Sequence, residues 1–462
     1  MDVFDRFRAR LGKPDMLHQG MIGRDAVIEG PFGPKPMVYA DYIASGRALR
    51  QVEECILEEV LPWYANSHTE ASHCGAVMTR LRRQARAEIL RCVCGGEEHA
   101  VVFTGSGATA GLNRLAHLFG IDSEWTVLIG PYEHHSNILV WRESGARVVE
   151  LPEARDGGLD IDALMRGLSC EGPVLGAFSA ASNVTGVLSD VRGVTGLMRA
   201  AGARVIWDYA GGAPYLPIDM SAGMDAVVVS PHKFLGGPGA SGVMIVRRDA
   251  VTVDRPSMPG GGTVRFVNDA GHDYATSIEA REEGGTPNVV GDIRAALVFA
   301  LKDAVGQEYL DSRHREWLRQ ARRLWSVEGL EMLGHATAPR LPILSFRIRD
   351  GNGGYVHQQL ATRQLSDRYG VQARGGCACA GPYVHRLLDI GAEESENLRA
   401  AILRGEEIEK PGFVRLNLCW AAPEAEIDHI LDSVCDLAAT AGRYRARYLC
   451  DPTTAIFTPI AA

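Results

Sequence analysis

A chain of 462 residues, 46% hydrophobic and 23% charged, is long enough for more than one buried core and has the composition of a folded globular protein, which excludes disordered and fibrous classes. The net charge of −9, without a long basic run, argues against nucleic acid as a partner. Charges sit in Asp2-Val3-Phe4-Asp5-Arg6-Phe7-Arg8, where a signal peptide carries an apolar core, and no apolar run approaches the length of a membrane span, so the expectation is a cytoplasmic protein with no membrane partner.

Residues 1–35 read as helical at first and then as Gly/Pro-rich. Val38-Tyr39-Ala40-Asp41 is a short strand entering a loop. Helical spacing follows over 47–63, then a polar loop at 66–70, then a second helix over 75–93 that ends at Gly95-Gly96. Cys92 and Cys94 fall at that helix end and read as structural. The ten cysteines are too few and too scattered for a disulfide scaffold.

From 100 to 245 short apolar runs alternate with helical segments. The strands expected are Val101-Val102-Phe103, 126–129, 147–151, 174–178, 204–207, 226–229 and 242–246. Near-continuous apolar strands joined by helices predict an α/β fold with a mostly parallel, seven-stranded sheet buried on both faces. A further helix is expected at 291–306, a strand at 341–346, a helix at 355–369, a loop at 374–382, a strand at 413–418 and a last helix at 424–447. These define a smaller α+β domain. The expected division is 1–46 as an N-terminal segment joining the small domain, 47–300 as the large domain and 301–462 as the small one.

Ligands on open α/β sheets bind outside the strand C-termini, and the chemistry-bearing residues concentrate there. Arg204-Val205-Ile206-Trp207 runs into Asp208, and the next apolar run leads to Ser230-Pro231-His232-Lys233 and a Gly-rich turn. A lysine at a strand end can form a Schiff base with a carbonyl, and an acid one strand away can hold a pyridinium nitrogen protonated, which is what pyridoxal phosphate requires. Thr104-Gly105-Ser106-Gly107-Ala108-Thr109 is a Gly-rich turn opening a helix, suited to a phosphate. His134 and His135 follow another strand, placed to stack on a flat cofactor or move protons. Asn183 either donates to a phenolate oxygen or forms a turn in Asn183-Val184-Thr185-Gly186. Arg415, on a strand with apolar neighbours, suits capture of a carboxylate or an ordinary salt bridge. Arg374-Gly375-Gly376-Cys377-Ala378-Cys379-Ala380 is a Gly-rich loop with two thiols, either inert or nucleophilic. With only His385 nearby, Cys377 and Cys379 lack a fourth zinc ligand.

In this order the motifs resemble the class V aminotransferase superfamily of fold type I pyridoxal-phosphate enzymes, within its cysteine desulfurase and selenocysteine lyase branch, over about residues 37–445. The resemblance implies that Lys233 carries the cofactor, Asp208 pairs with its pyridinium nitrogen and His134 stacks on its ring. It places Thr109, Ser230, His232 and the Ala108 backbone on the phosphate, and Thr286 on the phosphate of a neighbouring subunit, hence a homodimer. Asn183 matches the cofactor-oxygen position, Arg415 the substrate-carboxylate position and Cys379 the persulfide-forming cysteine. Three features depart from the family: Gly211 stands where a glutamine is usual, Cys377 adds a second thiol, and 383–411 is a long insertion.

The reading is therefore a cysteine desulfurase-like enzyme that removes the sulfur of L-cysteine, or of a related thiol or selenol amino acid, as a Cys379 persulfide and releases alanine, with a sulfur-acceptor protein as a partner. Alternatives on the same cofactor are β-elimination (a C–S lyase) and transamination. A non-enzymatic alternative is a sulfur carrier or metal-binding module on an inactive scaffold.

Overall fold

The computed structural model describes residues 2–67 and 69–460. His68, within the polar loop expected at 66–70, lies outside the described residues, as do Met1, Ala461 and Ala462. The chain forms two compact units. The first comprises Met1–Ile22, Ser45–Ala181 and Ser189–Leu310; the second comprises Gly23–Ala44, Ser182–Leu188 and Asp311–Ala462.

The first unit is built on seven strands: β1 (His99–Gly105), β2 (Thr126–Ile129), β3 (Arg147–Glu150), β4 (Val174–Ser179), β5 (Arg204–Asp208), β6 (Ala226–Val229) and β7 (Gly242–Arg247). Their order is β1-β7-β6-β5-β4-β2-β3. Only β7 runs antiparallel to its neighbours; the other pairings are parallel. Every residue of β2, β4 and β6 is buried, as strands covered by helices on both faces require. The helix Gly107–Leu118 turns Leu112, Leu115 and Leu118 into a core shared with Trp141, Ile206 and Val228. Each such side chain contributes about 1.5–3 kcal/mol by leaving water.

The unit boundaries depart from the chain order expected. Helix Val3–Arg10 belongs with the large unit, because Phe4 and Phe7 are buried and Arg6 and Arg8 pair with Glu59 and Glu88 at 2.6 and 2.5 Å. The single helix expected at 47–63 is broken into an α segment (Arg50–Cys55), a π turn (Ile56–Val60) and a 3₁₀ turn (Leu61–Trp63). Pro62 lacks an N–H and cannot continue the ladder.

The second unit carries an antiparallel sheet of β8 (Leu330–Met332), β9 (Ile343–Ile348), β10 (Arg374–Gly376) and β11 (Phe413–Asn417), ordered β8-β9-β11-β10. Helices Gln358–Tyr369 and Glu424–Thr440 accompany it. Residues 374–376, expected as loop, are an edge strand. The glycines explain this: a Cβ on Gly375 would lie 2.7 Å from Thr362 Oγ1, and one on Gly412 would lie 2.8 Å from the Gly376 carbonyl carbon. Only bare backbone fits there. The insertion 383–411 folds mainly as helices Gly381–Leu387 and Ala392–Leu403, and the chain closes with a hairpin, Tyr448–Asp451 and Ile456–Pro459. No described helix is long and apolar enough to cross a membrane.

Candidate active site

In the first unit the candidate residues other than Thr286 lie at, or just beyond, the C-terminal ends of strands. Asp208 is the last residue of β5 and is only 4% exposed. Its Oδ1 accepts the Ala210 N–H at 2.7 Å. Burial raises its carboxyl above the usual range, against that hydrogen bond and the attraction of the Lys233 charge. Lys233 does not end a strand, as the sequence suggests. Strand β6 stops at Val229, and Pro231 starts a 3₁₀ turn, Pro231–Lys233, that presents the lysine. The turn is held from behind: Gly46 N–H donates to the His232 carbonyl at 2.9 Å. A Cβ on Gly46 would lie 1.8 Å from the Phe234 carbonyl oxygen, so only glycine fits.

The Gly-rich turn leaving β1 opens helix Gly107–Leu118. Gly105 and Gly107 have φ of +80° and +63°, a region that disfavours side chains. The Ala108 N–H, in the first turn of helix Gly107–Leu118, donates to Ser230 Oγ at 3.0 Å. A Cβ on Gly107 would come within 2.8 Å of that oxygen and 3.2 Å of His232 Cε1. Ser230, His232 and Ala108 thus meet around a space kept open by glycine. Burial, then the Lys233 charge, lowers the His232 pKa, favouring the neutral imidazole.

Thr109 joins this group through Ser136. Thr109 Oγ1 and Ser136 Oγ are 2.7 Å apart. Ser136 N–H donates to His134 Nδ1 at 3.2 Å, and Ser136 Oγ lies 3.1 Å from the same nitrogen. An accepting Nδ1 puts the imidazole proton of neutral His134 on Nε2. Beside it, Glu133 is fully enclosed. Its carboxylate accepts from Ser179 N–H at 2.8 Å, Ser179 Oγ at 2.5 Å and Asn137 Nδ2 at 2.6 Å. Burial nevertheless pushes its pKa up to about 7, with the Asp208 charge acting in the same direction. Thr286 is exposed, in the loop before helix Val289–Val305. That loop is pinned by Glu283, which accepts from Phe103 N–H at 2.8 Å and from Arg82 and Arg86 at 2.5 Å each.

The second unit holds the remaining candidates. Arg415 on β11 is 4% exposed. Its Nη1 donates to the Asn183 carbonyl at 3.0 Å and its Nη2 to Asp41 Oδ1 at 3.2 Å. Burial lowers the guanidinium pKa, and Asp41 opposes that shift. Arg374 Nε donates to Asp41 Oδ2 at 2.9 Å. Asn183 Nδ2 donates to the Ala378 carbonyl at 2.8 Å, tying the cysteine turn to the arginine. Cys379 is exposed and Cys377 half-buried. His385 places Nδ1 2.8 Å from the Gly381 carbonyl and Nε2 3.2 Å from Ser395 Oγ.

The structure thus brings Lys233, Asp208, Ser230, His232, Ala108, Thr109 and His134 onto one edge of the large sheet. It groups Asn183 with Arg415 and the cysteine turn in the second unit. Gly211 is buried. Asp41, Glu133, Ser136 and Gly46 were not singled out from sequence. Of these, Glu133 carried a signal: an acid before a His pair and after an apolar strand.

The Aminotransferase class-V family model matches residues 38–430. A probable cysteine desulfurase of Halalkalibacterium halodurans is 27% identical over 375 residues, 79% of this chain and 89% of that protein. A cysteine desulfurase of Pectobacterium atrosepticum is 29% identical over 358 residues, 75% of this chain and 85% of that protein. In fold, the apo structure of a cysteine desulfurase from Thermococcus onnurineus NA1 superposes with a TM-score of 0.72 at 21% identity, covering 87% of this chain and 95% of that one. With the match spanning both the strand-end cluster and the arginine–cysteine cluster, the chain belongs to the class-V aminotransferase family.

Proposed function

We propose that this protein is a pyridoxal-phosphate enzyme that removes the sulfur of L-cysteine, or of a closely related thiol or selenol amino acid, as a persulfide on Cys379 and releases alanine. The carrying observation is the tie, within the second unit, between the exposed Cys379 turn and the buried Arg415 through Asn183. It couples a thiol to a carboxylate-binding group.

The first-unit residues fit the cofactor. Gly107 leaves room for a phosphate among Ala108, Thr109, Ser230 and His232. Asp208 is a buried acid whose burial a pyridinium would offset. Lys233 would supply the amine, and His134, its proton fixed on Nε2, would stack on the ring. When bound, pyridoxal phosphate supplies a carbonyl for the amino group and a ring that takes up electrons left by Cα–H cleavage.

Arg415 binds the substrate carboxylate, and Lys233 Nζ takes the Cα proton. The Cys379 thiolate attacks the substrate sulfur: an S–S bond forms, the Cβ–S bond breaks, Cβ is protonated, and Lys233 Nζ returns a proton to Cα to give alanine. A thiol or a sulfur-acceptor protein then removes the outer sulfur. The enzyme is a cytoplasmic homodimer in which Thr286 of one copy completes the phosphate site of the other.

The test is incubation of the purified holoprotein with L-cysteine, scoring alanine, pyruvate and sulfide together with peptide mapping of Cys379. Pyruvate without alanine, unaffected by Cys379→Ala, points instead to β-elimination.

A further inference from the structure

Cys377 has no part in the chemistry above, yet the backbone gives it a defined relation to Cys379. Ala380 N–H donates to the Cys377 carbonyl at 3.2 Å. The two residues between, Ala378 and Cys379, both have positive φ, +52° and +54°. This is a β-turn of the I′ pattern, which ordinarily takes Asn-Gly. Neither central residue is glycine, so both are held in a conformation that disfavours a side chain. The turn is held by Asn183 Nδ2 on the Ala378 carbonyl, 2.8 Å away. The fourth position of this turn is Ala380; Cys379 is the third. Two residues of fully extended chain span at most about 6.6–7.2 Å, and a turn is shorter, so the Cα atoms of Cys377 and Cys379 fall in the range of about 4.4–6.8 Å at which cysteines bridge.

We propose that Cys377 is a resolving thiol for Cys379, so that the pair closes to a disulfide and expels the sulfur as sulfide. This rests on the desulfurase reading for its source of persulfide. The Cys377 thiolate attacks Sγ of Cys379 in the Cys379–S–SH group. The Sγ–Sγ bond forms, the bond to the outer sulfur breaks, and that sulfur leaves with the electron pair as hydrosulfide. Cys377 and Cys379 are oxidised to a disulfide, and the outer sulfur is reduced. Two equivalents of a small thiol, or one dithiol, then restore both cysteines and are themselves oxidised. Proximity favours this internal attack over a thiol arriving from solution.

Two arms test it. In the first, the full-length protein is equilibrated in glutathione redox buffers, alkylated, cut with trypsin and mapped. The peptide Gly375–Arg386 carries both thiols. A Cys377–Cys379 disulfide within it is expected, lost in Cys377→Ser and Cys379→Ser; glutathione adducts on each thiol without an internal bridge overturn the pairing. In the second, the holoprotein receives one equivalent of L-cysteine per active site, so that no free thiol remains after the first turnover. The wild-type protein is expected to release sulfide with its first alanine, hold the disulfide and stall until a dithiol is added. Cys377→Ala and Cys377→Ser are expected to keep the persulfide on Cys379 and lose that sulfide. A wild-type persulfide that stays on Cys379 beside an alkylatable Cys377, or that moves onto Cys377, overturns the proposal. If no alanine forms, the desulfurase reading fails and the resolving step with it, while the first arm still decides whether the thiols pair.

Discussion

Arg374 and Arg415 lie directly opposite each other across β10 and β11. Like charges in that position destabilise a sheet. Asp41 removes the conflict by giving one carboxylate oxygen to each arginine, at 2.9 and 3.2 Å. The buried Arg415 is thereby held with its guanidinium fixed.

Replacing Asp41 by Asn removes that shared charge. Breaking a buried ion pair by removing one partner costs about 3–5 kcal/mol. A lower unfolding midpoint is expected, together with a loss of kcat/KM for L-cysteine on the order of 10²-fold from misplacement of Arg415. The loss should fall mainly on KM, which separates substrate positioning from the chemical step. Steady-state kinetics with denaturant unfolding of the same sample checks both.

Gly107→Ala places a Cβ 2.8 Å from Ser230 Oγ at a φ of +63°. The backbone penalty is about 1–2 kcal/mol. The expected result is a modest drop in thermal stability and a larger fall in retention of pyridoxal phosphate, read by cofactor absorbance after dialysis. Unchanged retention would remove Gly107 from the phosphate site.

Glu133 predicts a pH dependence. Its folded pKa, about 7, stands above the ordinary 4.5. Between those values the folded state holds a proton that the unfolded state has released, so stability falls as pH rises across the window and levels above it. In cofactor-free protein, Glu133→Gln is expected to flatten that slope between about pH 4.5 and 7. Its baseline should also drop by about 1–3 kcal/mol, because a Gln N–H would face the Asn137 Nδ2 donor. Thermal unfolding over that pH range measures both effects, and an unaltered slope would assign the titration elsewhere.

Much of this was readable in advance. The alternation of apolar runs and helical segments foretold the seven-stranded sheet, and Asp208, Lys233 and the Gly105–Gly107 turn announced themselves by following strands. Asp41 did not, because its partners are Arg374 and Arg415, far along the chain, and a lone acid after a two-residue strand has no local signature. Ser136 reads as an ordinary helix-start serine until His134 and Thr109 are seen around it. Arg374–Gly376 looked like loop because its glycines signal a turn; in three dimensions they admit a close approach of backbone to Thr362 and Gly412.

The central claim is that Lys233 and Cys379 serve one desulfuration. Its most direct measurement is a single turnover of the holoprotein with L-cysteine, with alanine quantified and Cys379 mapped by mass spectrometry in the wild type, Lys233→Ala and Cys379→Ala. The account predicts alanine with sulfur traceable to Cys379 in the wild type, as a persulfide or the sulfide discharged from it, and neither product in the two variants. Absence of both from the wild type, or full alanine formation by Cys379→Ala, would contradict it.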